Sequence, residues 1–162
     1  MPDADAPDQS TRPPAMSPGA YLRLRREAAG LTLDDVALFT DTWPTHISAR
    51  SRAELLALVE RDMMVIDAGL VDALRAAAAH GMIAFSPAVL FQLVAIHAGA
   101  EIAAPELCRT CGCSWTDPCV DDHGGGCAWA RGEADLCTAC LDRAIAARAA
   151  PIAATVAGAV AA

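Results

Sequence analysis

The seven cysteines of this chain all fall within residues 108–140, and four of them crowd into the stretch "CRTCGCSWTDPC". Cys108–Cys111 and Cys137–Cys140 are two C-x-x-C pairs separated by 25 residues. Each pair closes a tight turn whose thiolates sit one metal-ligand span apart, and two such turns complete a tetrahedron. Gly112, directly after the first pair, is the small residue that lets backbone amides approach the sulfurs. Cys113, Cys119 and Cys127 remain, with His123 between the last two in the pattern C-x5-C-x3-H-x3-C. Three thiolates and an imidazole form a second closed zinc set. Seven thiolates also suffice for two ions if one sulfur is shared, and His123 is then only a loop residue beside three glycines. Spacing leaves both arrangements open. Cys111 and Cys113 are two positions apart, so the two sites are neighbours in either case.

Zinc, two ions per chain, is the expected cofactor. An iron–sulfur cluster is the rival, because cysteine-only ligation is its habit. The C-x2-C-x2-C run is missing, however, and a four-cysteine cluster would strand three thiols. Disulfides suit an oxidising compartment and an even count. A catalytic thiol needs a general base and a pocket, and neither is legible among these turns. Every ligand set considered is closed, with no open position for water, which points to a structural metal and a non-enzymatic protein. The need for metal is physical. The window's large apolar residues are Trp115, Val120, Trp129, Leu136 and Leu141, too few for a core, so metal must supply the folding energy.

The totals narrow the partners. A formal charge of −8 argues against a broad grip on nucleic acid or anionic lipid, and all twelve basic residues are arginine. Two zinc ions with seven thiolates would add about three further negative charges. "MPDADAPDQSTRPPA" has no basic and apolar leader pattern, and the apolar run from Ala149 is proline-broken and short for a bilayer. The expectation is a soluble, cytoplasmic protein without a membrane partner or an evident small-molecule substrate.

The cysteines follow a long helical stretch that must position them. Residues 1–16 have little to bury and read as a disordered segment, with Met16 a candidate natural start. Five helices follow within residues 17–100, and no alternating strand pattern precedes residue 105. Ser17 with Pro18 opens the first, whose stripe is Tyr21, Leu24, Ala28, and Gly30 ends it. Thr32 with Asp35 forms a capping box for the second. Ser51 with Glu54 repeats the device for a third, over 52–62. Asp67 caps a fourth that runs to Gly81, and Ser86–Pro87 opens a fifth that closes at Gly99. Residues 101–107 are a linker, 108–141 the cysteine-rich zinc module, and 142–162 an alanine-rich helix and tail. The fold class is therefore mainly α: a five-helix bundle followed by a small, turn-rich, metal-stapled module. His97 shares a face with Leu90 and Val94 and reads as partly buried.

The stretch "YLRLRREAAGLTLDDVALFTD", residues 21–41, resembles the opening of the Cro/repressor-type helix-turn-helix family, and "LLALVERDM" loosely resembles its third helix. That resemblance implies a compact DNA-binding bundle acting in transcription regulation. It departs at "DTWPTHISAR", a ten-residue connection containing Pro44 where the family has a short turn. Acidic Glu54, Glu60 and Asp62 also stand on or beside the candidate reading helix, with Arg50 and Arg52 as candidate DNA contacts. Arg23, Arg25 and Arg26 read as a phosphate-facing cluster or a solvated face. The cysteine-rich tail with its "GCAW" element is similar to tails on uncharacterised phage and prophage proteins, which implies a viral or mobile-element setting. Three functions stay open: a DNA-binding regulator, a phage structural or assembly protein working through protein contacts or self-association (in the virion, in that case), and an iron–sulfur redox sensor.

Overall fold

A computed structural model describes residues 15–121 and 124–148. The N-terminal segment to residue 14, His123 with its neighbour, and the apolar tail from 149 lie outside the described residues. Five helices build the first half: α1 (Pro18–Ala28), α2 (Leu33–Phe39), α3 (Ala49–Val59), α4 (Ala68–Ala79) and α5 (Pro87–His97). A further helix, α6, covers 138–148. Beyond these, the described residues hold only isolated bridges, Ser114 with Asp117, Val120 with Gly126 and Trp129 with Cys137. The chain is thus mainly helical, with a cysteine cluster in its C-terminal part.

Local chemistry explains the helix starts. Ser17, Ser48, Asp67 and Ser86 each accept a backbone N–H from three residues on. Thr32 and Asp35 form both bonds of the capping box. The third helix begins earlier than its sequence suggests. Ser48, not Ser51, is the cap, and Ser51 donates its backbone N–H to Ser48 Oγ at 3.1 Å. Glu54 instead lies 3.5 Å from Arg50 across one exposed turn.

The core joins Tyr21 and Leu22 of α1, Val36 of α2, Leu56 and Val59 of α3, and Leu70, Leu74, Leu90 and Leu93 of α4 and α5. Helix α2 packs on α3 and α4, and α1 packs on α5. Two sequence boundaries move. Met16, assigned to the N-terminal segment, packs against this core, and linker residue Leu107 is buried in it. Gly19 permits the closest approach: a Cβ there would lie 2.2 Å from the Val59 carbonyl oxygen. Asp62, in left-handed backbone at φ 57°, accepts the Gly19 N–H at 2.8 Å and the Ser17 hydroxyl. His97, expected partly buried, is exposed at the end of α5.

Two arginines depart most from their reading. Arg52 is 5 % exposed. Its guanidinium donates to the carbonyls of Trp43 (2.7 Å), Ala37 (2.9 Å), Asp41 (3.1 Å) and Pro44 (3.2 Å). The long α2–α3 connection is therefore wound around this cation, with Trp43 buried beneath it. Buried peptide carbonyls need donors, and Arg52 supplies them. Arg25 is 3 % exposed and faces the cysteine module.

Candidate metal centre

The cysteine module begins where Leu107 leaves the bundle core. Cys108 and Cys111 bracket a turn closed by Gly112 N–H donating to the Cys108 carbonyl at 2.8 Å and Cys108 N–H donating to Cys113 at 2.9 Å. Gly112 has φ +67°, a conformation a Cβ disfavours. A Cβ there would also lie 3.3 Å from both Tyr21 and Arg25 side chains. The residue that shapes the turn thus also seats the module on α1. Cys137 and Cys140 lie at the start of α6, where Leu141 N–H donates to Cys137 at 3.0 Å. Between the two pairs, Cys127 N–H donates to the Cys119 carbonyl at 2.9 Å, closing a loop that returns both thiols to the centre.

These turns converge all seven sulfurs. Those of Cys108, Cys111, Cys137 and Cys140 lie within 4.8 Å of one another, and so do those of Cys111, Cys113, Cys119 and Cys137. Cys127 joins through Cys113, 3.5 Å away. All seven are free thiols. Cys108, Cys111, Cys113, Cys137 and Cys140 are buried, and Cys119 and Cys127 partly so. Around them pack Leu136, Ala139, Leu141 and Trp129. Trp115 stands edge-on to Trp129, ring centroids 6.2 Å apart, and is itself exposed. Every sequence-assigned cysteine is brought to one place; His123 lies outside the described residues.

The cluster is electrostatically uneven. Burial pushes the thiols of Cys119 and Cys140 up. Hydrogen bonding to Cys108 and Cys111 pushes Cys113 up, while Cys108, receiving those bonds, is held low. Negative charge thus settles on some sulfurs and is disfavoured on their neighbours, because adjacent thiolates repel each other in a poorly solvated space. Several thiolates at tetrahedral-edge separations suit a soft or borderline metal, zinc or iron among them.

Arg25, which the sequence places in a phosphate-facing cluster or on a solvated face, is instead buried and ties the centre to the bundle. Its Nε donates to the Ala84 carbonyl at 2.6 Å, Nη1 to the Cys111 carbonyl at 3.4 Å, and Nη2 stands 3.0 Å from Asp117 Oδ2. Burial pushes the Asp117 carboxyl up and the guanidinium opposes that without cancelling it. The ion pair is therefore a desolvated contact, a positioning device rather than a large source of stability. Tyr21 beside it accepts the Ser86 N–H at 2.8 Å, and burial pushes its hydroxyl up to about 12. One signal was available in the sequence. Arg25 follows Tyr21 by four residues, and Arg52 precedes Leu56 and Val59 by four and seven. Both lie on apolar stripes.

No family model matches the chain, and neither a curated protein nor a solved structure matches it. Among the described residues, no helix is long and apolar enough to cross a membrane.

Proposed function

We propose that this chain is a non-enzymatic binding protein whose C-terminal module is folded by zinc. The observation that carries the reading is the buried set of Cys108, Cys111, Cys137 and Cys140, four sulfurs within 4.8 Å of one another from two C-x-x-C turns. Four thiolates fill a tetrahedral ion completely, which is the structural rather than the catalytic form of a zinc site. An iron–sulfur centre would leave a coloured protein. The test is elemental analysis with an absorption spectrum of the purified chain: zinc and no visible absorption support the reading. Iron with visible bands would replace it with the redox-sensing alternative.

The resemblance of residues 21–41 to helix-turn-helix regulators makes duplex DNA the first partner to examine, against a net charge of −8. Arg52 is spent on carbonyls inside the bundle, which leaves Arg50, 90 % exposed beside Glu54, as the cation that α3 offers. Binding on random duplex should be weak, and replacing Arg50 with Ala should lower the salt slope by at most about one. The burial of Arg52 favours a second reading, an assembly component that meets protein partners. Selection from random duplexes separates them: an enriched sequence supports the regulator, and no enrichment at low salt supports assembly.

A further inference from the structure

We infer that Cys137 Sγ is shared by two metal ions, with Cys113, Cys119 and Cys127 completing a second tetrahedral site around it. This rests on the reading that the cysteines bind metal, and it extends that reading from one closed site to a binuclear centre.

The double C-x-x-C set uses Cys108, Cys111, Cys137 and Cys140. Cys113, Cys119 and Cys127 are then one ligand short of a tetrahedron. Two thiols, Cys111 and Cys137, belong to both four-sulfur groups. Three observations select Cys137. Its sulfur is 3.6 Å from Cys119 and 3.8 Å from Cys111, so it stands between the two sets. A small cavity is walled by Cys113, Cys127 and Cys137 with Trp115 and Trp129, so Cys137 faces the same space as two members of the second set, while Cys111 and Cys119 do not line it. The backbone fixes the same pairing. Trp129 bridges Cys137, and Thr138 N–H donates to the Ala128 carbonyl at 2.8 Å, which keeps Cys137 beside the segment that follows Cys127.

A thiolate keeps lone pairs free after binding one cation and can donate another to a second. Two tetrahedral ions sharing one corner need seven ligands, and the module has seven cysteines. A shared corner also reduces the charge the buried sulfurs bring to each ion.

Full-length protein loaded with ¹¹³Cd²⁺ and examined by ¹H–¹¹³Cd correlation tests this directly. Two cadmium resonances are expected, both correlated to the Cys137 Hβ protons, with each remaining cysteine correlated to one. His123→Ala should keep both resonances. In native mass spectra, Cys127→Ser should fall from two zinc ions to one while keeping the double C-x-x-C ion. Cys137 correlated to a single cadmium, a correlation to the His123 ring, a single resonance in the wild type, or two zinc ions in Cys127→Ser would each overturn the bridge. Absence of any cadmium uptake would instead refute metal binding itself.

Discussion

The helical half buries Tyr21, Leu70, Leu90 and Leu93 almost completely, whereas the fully buried side chains of the module are the sulfurs of Cys108, Cys111, Cys113 and Cys137. One half closes by apolar area and helix caps. The other has short turns and isolated bridges, with Ala130, Leu136 and Ala139 as its few buried hydrocarbons. Ordering such loops costs about 1–2 kcal/mol of backbone entropy per residue, and little buried area opposes that cost. The difference teaches where each half can keep its stability: the bundle in many small, distributed terms, the module in the few strong bonds that a metal would form with its clustered sulfurs. The seam between them joins the Arg25–Asp117 ion pair to a close approach of Gly112 to Tyr21, Leu24 and Arg25. That seam lets the halves dock without sharing one core, apart from Leu107.

The sharpest way to break the comparison is chelation. Removing metal should withdraw on the order of 10–16 kcal/mol of apparent binding energy and unfold residues 108–141. Most helical circular dichroism should persist, because α1–α5 carry their own caps and core. Global loss of helicity on chelation would show that the halves fold as one.

Arg52→Ala should do the opposite. It strands the carbonyls of Ala37, Trp43, Asp41 and Pro44, and should destabilise the bundle by about 1–3 kcal/mol for each carbonyl left buried without a donor. Zinc content should not change. Denaturant melts followed by helical signal, paired with metal analysis, check both halves of this statement.

Gly112→Ala forces a Cβ into positive φ and to within 3.3 Å of α1 side chains. A cost of about 1–3 kcal/mol is expected. It should appear in the module's metal affinity more than in the helical melt, and a competition titration with a zinc chelator reads it.

Tyr21→Phe removes one hydrogen bond to Ser86 and should cost about 1 kcal/mol. Its pH signature is more specific. The folded hydroxyl titrates near 12 and the ordinary one at 10.0. Tyr21 therefore stabilises the fold fully below pH 10, and that contribution is lost as pH climbs towards 12. In Tyr21→Phe the fall in stability between those values should be shallower, as measured by denaturant melts across that range.

Much of this was legible in the chain. Thr32–Asp35, Asp67, Ser17 and Ser86 announced four helix starts, because capping is local chemistry written within three residues. The C-x-x-C pairs announced a common centre for the same reason. Ser51 misled, since Ser51–Glu54 mimics a capping box while Ser48 satisfies the same rule one turn earlier. The buried roles of Arg25 and Arg52 depended on distant carbonyls: Arg25 meets Ala84 and Cys111, and Arg52 gathers a loop folded back upon it. Arginine types suggest surface; only their places on the Tyr21 and Leu56–Val59 stripes hinted otherwise. Which sulfur lies between the two sets is also a property of folded distances, not of spacing.

The central claim is that bound metal, rather than apolar burial, holds residues 108–141 together. Native mass spectrometry of the purified chain, combined with thiol labelling before and after chelation, tests it most directly. The account predicts a zinc-bound mass, cysteines that resist labelling while metal is present, and all seven labelled once it is removed. A metal-free mass with the same cysteines still protected would contradict it, because the module would then be holding itself together without the ion.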